Sequence, residues 1–309
     1  YTLSLHDALP ILRVRVPATS ANLGPGFDTL GLALSLYLQV DIEWSDSNII
    51  EFAGEGVQNI NSLPEHNLIW QAARRVFQAA GRQPAMKLSI HNEIPIGRGL
   101  GSSAAAIVAG LTAANELLGN PLDKKQLLAL AVDMEGHPDN VVPALIGGLT
   151  VAMEDNNEVY CQKVDFPEDI SVVVVVPEFE LSTEVSRSVL PQQIDLKVTV
   201  NNLQRACFLL ASLHNRDFSN LDKAMDDQIY QPLRKQFIPG FDQVINAARS
   251  HGAMGTALSG AGPSMLAFCS AGEQERVAQA MQEAFRNAQV KSRVFYLQAD
   301  NKGTEIQII

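Results

Sequence analysis

Residues Pro95, Ile96, Gly97, Arg98, Gly99, Leu100, Gly101, Ser102, Ser103, Ala104 and Ala105 place three glycines at alternate positions, then two hydroxyls, then an alanine-rich stretch. Glycine lets a backbone take left-handed turns and approach a ligand without a Cβ in the way. Ser102 and Ser103 then fall at a helix start, where the first amides have no intrahelical acceptor and the dipole favours an anion. Phosphate binding is the chemistry this suits. One helix terminus contributes only about 0.3 to 1 kcal/mol, so the charge of a nucleoside triphosphate calls for several amides and a metal ion together.

Three further segments hold polar groups in rigid surroundings. Glu135, Gly136, His137, Pro138, Asp139 and Asn140 bring two carboxylates, an imidazole and an amide together at a helix exit, with Gly and Pro fixing the backbone. Such density is uncommon in a plain connector. Ser259, Gly260, Ala261, Gly262, Pro263 and Ser264 form a second glycine turn, either a tight hairpin or another backbone surface near the phosphates. The stretch 17–28, rich in turn formers, carries Asn22 and Asp28; alone it reads as a turn.

Two other phosphate motifs fit less well. A P-loop ends in Gly-Lys-Ser or Gly-Lys-Thr, whereas this loop has no lysine. Gly99, Gly101 and Ala104 match the dinucleotide fingerprint literally, but that motif needs a following strand with an acid about 20 residues on. Here Gly119, Asn120 and Pro121 close the helix, and Asp123 with Gln126 opens another. A tight turn capping a packed helix is the plain alternative.

These groups need a scaffold, and the hydrophobic pattern supplies one. Residues 13–17 and 32–44 alternate as strands joined by a loop over 18–29, and 67–80 read as a helix closed by Gly81. Met86, Leu88 and Ile90 alternate as the strand feeding the glycine loop, and the helix over 102–118 is apolar nearly all round, hence buried. Asp123 and Gln126 form a capping box for a helix ending near Gly136. Further on, 171–177 contains five consecutive valines, a strand buried on both faces. Then come helices over 196–214 and 241–251, strands over 254–258 and 264–269, a helix over 273–287 and a strand over 293–297. Apart from the inserted helices this is βαββαβ, the ferredoxin-like order. The expected fold is α+β in two domains, 12–164 and 165–309.

Composition bounds the partners. The chain has 309 residues, 46% hydrophobic and 18% charged, with a net charge of −11. That charge disfavours nucleic acid and anionic membranes as partners, and no apolar run is long enough to span a bilayer, so a cytoplasmic protein is expected. Cys161, Cys207 and Cys269 are odd in number and widely spaced, as reduced packing thiols are. Residues 1–11 lack an initiator Met and precede the first alternating run, so they read as a non-native leader.

Taken together, the loop 22–28, the loop 97–105 and the turn 259–264 resemble the three ordered motifs of the galactokinase, homoserine kinase, mevalonate kinase and phosphomevalonate kinase (GHMP) superfamily. The resemblance runs from about residue 13 onward. It implies the GHMP kinase fold, an N-terminal ribosomal protein S5 domain 2-like α+β domain followed by the ferredoxin-like one. The segments 16–28 and 135–141 are similar to the homoserine kinases within it. Mevalonate-type members usually carry a lysine in the first motif, which is missing here.

The resemblance implies ATP over residues 95–105, with Asn67 near the nucleoside and Thr183 near the phosphates. It implies Mg²⁺ between Ser102 and Glu135, and L-homoserine against Asn22, Asp28, His137, Asp139, Asn140 and Gly260, its carboxylate on Arg187 and Arg234. A guanidinium fork suits a carboxylate, and Asp28 suits an ammonium. The implied activity is phosphorylation of the homoserine hydroxyl for threonine synthesis, with Asp139 accepting the proton or Asn140 orienting the hydroxyl. The sequence does not fix the assembly; a homodimer is one option it leaves open. A kinase of the same fold for shikimate, mevalonate or threonine, and a non-catalytic nucleotide sensor, are the competing readings.

Overall fold

The computed structural model describes residues 11–59, 64–156 and 158–309. The leader expected over 1–11 lies outside the described residues except for Ile11. The N-terminal part runs β1 (Leu12–Asn22), β2 (Gly26–Trp44), β3 (Ile49–Gly54), α1 (Leu68–Ala79), β4 (Met86–Asn92), α2 (Ser102–Leu117), α3 (Lys124–Glu135), α4 (Pro138–Ile146), β5 (Leu149–Asp155) and β6 (Glu158–Val164). Alternation along β2 buries Leu32, Leu34, Leu38, Val40 and Ile42, which gives the sheet its core face. Against that face lies α2, buried from Ala104 to Asn115 with few breaks. The Asp123–Gln126 capping box is present at α3, and Gly136 closes that helix at φ 90°.

The loop expected over 18–29 is mostly strand. Ala18, Thr19 and Ser20 pair with Leu34, Ala33 and Leu32, leaving only 23–25 as a turn. Small and polar residues hid this: Thr19 and Ser20 are wholly buried, so no alternation shows in the sequence. Asn22, Leu23 and Asp28 take left-handed backbone, at φ 71°, 48° and 53°. Such conformations cost non-glycine residues about 1 to 3 kcal/mol and cluster at functional sites. The helix exit at 135–140 is likewise a helix-to-helix corner, since α4 starts at Pro138, the helix position that best tolerates a missing N–H.

The second part runs β7 (Ile170–Pro177), α5 (Thr183–Ser188), α6 (Leu196–Asn215), α7 (Leu221–Ala224), α8 (Tyr230–Arg234), α9 (Phe241–Ser250), β8 (Ala253–Leu258), β9 (Met265–Ser270), α10 (Gln274–Asn287) and β10 (Ser292–Leu297). Its sheet has the antiparallel order β10-β7-β9-β8. The valine run explains itself here. Val172, Val174 and Val176 join the core shared with the first sheet, while Val173 and Val175 face the core under α9 and α10. Residues expected inside the second unit close back on the first: β11 (Glu305–Ile308) pairs antiparallel with β1. Among the described residues no helix is long and apolar enough to cross a membrane.

Candidate active site

The glycine loop connects β4 to α2 and is gripped from several sides. The Thr19 amide donates to Leu100 O (3.1 Å), Leu181 N to Gly97 O (3.2 Å) and Ser264 N to Arg98 O (3.3 Å). The Ser259 hydroxyl bonds Gly99 O at 2.6 Å. Gly101 is the α2 N-cap, at φ 65° with no side-chain cap, and the first intrahelical bond runs from Ala105 N to Gly101 O. The amides of Ser102, Ser103 and Ala104 therefore precede that bond, which leaves an anion site at the start of a 16-residue helix.

This loop borders a cavity of about 420 Å³ whose lining is of two kinds. The apolar lining includes Leu38, Phe52, Leu68, Ile69 and Ile96, beside Asn67. The polar lining, with Phe27 among it, gathers Asn22, Asp28, His137, Asp139, Asn140, Arg187 and Arg234. Thr183 and Gly260 also line the cavity, as does the loop from Ile96 to Ser103. Pro95, Ala104 and Ala105 do not; the two alanines point into the core, so only their backbone can serve a ligand.

Within the polar lining, Arg187 forms a two-pronged pair with Asp28, with Nη1–Oδ2 at 3.0 Å and Nη2–Oδ1 at 2.5 Å. The two groups expected at opposite ends of an amino acid thus meet each other. Arg187 Nε remains buried without a partner. Arg234 is 2% exposed and donates to Ser186 O and Gly260 O. Burial lowers its pKa, with the Arg187 charge adding to the effect. Both guanidiniums face the Phe27 ring, at 5.2 and 5.1 Å from its centre, and Tyr230 stacks on that ring at 3.8 Å. The two guanidiniums are matched in number by the Asp28 and Asp139 carboxylates that line the same cavity.

Asn22, expected against a substrate, spends both ends of its amide on the scaffold: Nδ2 donates to Gly260 O at 3.0 Å and Oδ1 accepts from Asp28 N at 3.0 Å. It ties the first turn to the 259–264 turn. Asp139, in the first turn of α4, is 3% exposed and accepts from Asn140 Nδ2 at 3.3 Å. His137 Nδ1 lies 3.5 Å from Asp139 Oδ1, beyond a good hydrogen bond. The carboxylate nonetheless raises the His137 pKa, with burial opposing.

Glu135, at the end of α3, accepts a 2.7 Å hydrogen bond from Ser103 Oγ. The resemblance implies Mg²⁺ between Ser102 and Glu135; successive helical residues point about 100° apart, and it is the Ser103 hydroxyl that bonds Glu135 directly. Burial pushes the Glu135 pKa up, against the Ser103 hydrogen bond and His137, which lower it. Among the described residues there is no cluster of three or more His, Cys, Asp or Glu side chains for an all-protein metal cage. Phe27 and Phe52 also line the cavity, and Tyr230 supports Phe27. Phe27 is marked in the sequence by its motif, whereas Phe52 sits on the short strand β3 with no motif around it.

The model of the GHMP kinases N terminal domain matches residues 67–148, and that of the GHMP kinases C terminal matches 209–287. A homoserine kinase of Moorella thermoacetica is 46% identical over 95% of this chain and 99% of that protein. One of Carboxydothermus hydrogenoformans is 45% identical over 94% and 95%. The crystal structure of homoserine kinase from Cytophaga hutchinsonii superposes with a TM-score of 0.88 at 32% identity, covering 99% of both chains. With the lysine-free glycine loop and the acid–guanidinium cluster in one cavity, these likenesses lead to one conclusion: the chain belongs to the homoserine kinases of the GHMP kinase superfamily.

Proposed function

We propose that the protein transfers the γ-phosphoryl group of ATP to the side-chain hydroxyl of L-homoserine, releasing ADP and O-phospho-L-homoserine. The observation that carries this reading is the single cavity, which joins an amide-rich anion site to a charged cluster suited to an amino-acid zwitterion. The base of ATP lies toward Leu38, Phe52 and Ile96, with Asn67 near the nucleoside, and its phosphates lie toward Ser102, Ser103 and Thr183. The homoserine carboxylate takes the free Arg187 Nε and Arg234, and the ammonium takes Asp28. Arg187 Nε supports this, because an unpaired buried donor costs about 1 to 3 kcal/mol that an incoming carboxylate recovers.

Glu135 beside the Ser103 hydroxyl offers hard oxygen donors only, and the lack of an all-protein cage among the described residues fits an ion that shares its shell with phosphates and water. Glu135 with the Ser102 and Ser103 hydroxyls would hold Mg²⁺. When bound, Mg²⁺ offsets the charge on the phosphate oxygens. The chain's own part is alignment: the amides at the start of α2 hold the phosphates, Asn140 orients the acceptor hydroxyl, and Asp139 holds Asn140. A loose phosphoryl-transfer transition state needs little help from a base, and Asp139 is nearly closed off.

Asp139→Asn keeps an acceptor for the Asn140 amide. It is expected to lower kcat by less than about tenfold, whereas a loss of about 10²-fold or more, the general-base scale, would make Asp139 the proton acceptor. A coupled ADP assay across L-homoserine, L-threonine, shikimate and mevalonate tests the substrate. The expected order puts homoserine well ahead; equal or better turnover of another acceptor would replace this reading, and ATP binding without acceptor-dependent turnover would favour the sensor.

A further inference from the structure

Thr19 lies on β1, wholly buried and outside the groups assigned above to ligands. Its backbone amide donates to Leu100 O in the glycine loop at 3.1 Å. Its hydroxyl donates to Asn140 Oδ1 at 2.8 Å. One residue thus bonds both the loop that faces phosphate and the amide that faces the acceptor. The glycine at position 101 makes room for this contact: a methyl built there would lie 1.9 Å from Thr19 Oγ1 and 3.1 Å from Asn140 Oδ1.

From this geometry we infer that Thr19 is a positioning residue for phosphoryl transfer, setting the Asn140 amide at a fixed place relative to the glycine loop. The inference rests on the proposed function. A side-chain amide has two ends of similar shape and opposite hydrogen-bonding character. Asn140 Nδ2 donates to Asp139 Oδ1 at 3.3 Å, so Oδ1 needs a donor on its other side, and Thr19 supplies it. A flipped amide would turn Oδ1 toward the Asp139 carboxylate, so the two contacts favour one orientation. Because the same threonine also holds Leu100, a shift of the loop carries the amide with it, and donor and acceptor stay in register. In-line transfer is sensitive to such register, since small misplacements at a reacting centre have large effects on rate.

The test compares Thr19→Val, which keeps the shape and loses the hydroxyl, with Thr19→Ser, which keeps the hydroxyl. For Thr19→Val, kcat with homoserine and ATP is expected to fall about tenfold, the scale of one lost hydrogen bond to a buried polar group. Both KM values should stay near those of the unaltered protein, and Thr19→Ser should recover most of kcat. Side-chain amide NMR reads the contact without turnover: the Asn140 NH₂ pair should shift or broaden in Thr19→Val and hold its place in Thr19→Ser. An unchanged Asn140 signal in Thr19→Val overturns the inference whatever the rate does. So does a loss of thermal stability with both KM values raised and no rescue by serine, which would mark a purely structural role. Absence of homoserine-dependent turnover in the unaltered protein overturns the proposed function instead, while the NMR result still reports on the hydrogen bond.

Discussion

Glu135→Gln is expected to lower homoserine-dependent turnover by about 10²- to 10³-fold, the loss seen when one preorganised charge-stabilising group is removed. The substitution keeps the shape of the side chain and an acceptor for Ser103 Oγ while deleting the charge. The fold should not suffer, because the charged form of Glu135 is already penalised by burial. Initial rates measured against Mg²⁺ concentration check this. The variant should need more Mg²⁺ and still fall short at saturation, with its melting temperature unchanged or slightly raised. Turnover within about tenfold of the unaltered protein at saturating Mg²⁺ would be too small for a lost charge-stabilising group and would remove Glu135 from the metal site.

Arg187→Lys is expected to raise the KM for homoserine by about 10- to 150-fold, which corresponds to the 1.5 to 3 kcal/mol typical of a hydrogen bond to a charged group. Lysine keeps the charge but not the planar fork that spans the two Asp28 oxygens while leaving Nε free. The KM for ATP should barely move, since Arg187 is engaged with Asp28 and Phe27, in the cluster proposed to hold the amino acid. Parallel titrations of the two substrates decide it, and equal effects on both would take Arg187 out of the amino-acid subsite.

Much of this was legible in the amino-acid order. The glycine loop and the capping box show because each needs particular residue types at fixed spacing, and the strand with five consecutive valines shows because burial on both faces leaves no alternation. The hairpin between β1 and β2 did not show: residues 18–22 are small or polar and yet buried, as the wall behind a ligand loop must be. For the site, most residues named from the motifs line one cavity, but residue types alone do not tell how they spend their hydrogen bonds. Asn22 serves the scaffold, and Asp28 and Arg187 hold one another. Ser103 joins Ser102 beside the proposed metal site through its bond to Glu135, a contact set by helical rotation. Thr19 lay inside the first motif with nothing in its type to mark it, because its value lies in a contact 121 residues away.

The central claim is that one cavity holds ATP and an amino-acid alcohol in line for transfer. Phosphorus NMR of the protein with ATP, Mg²⁺ and L-homoserine tests it most directly, since it shows where the γ-phosphorus goes. A phosphomonoester signal growing in step with ADP, and absent without homoserine, is the predicted result. Free phosphate formed regardless of homoserine, or ATP left intact in its presence, would contradict it.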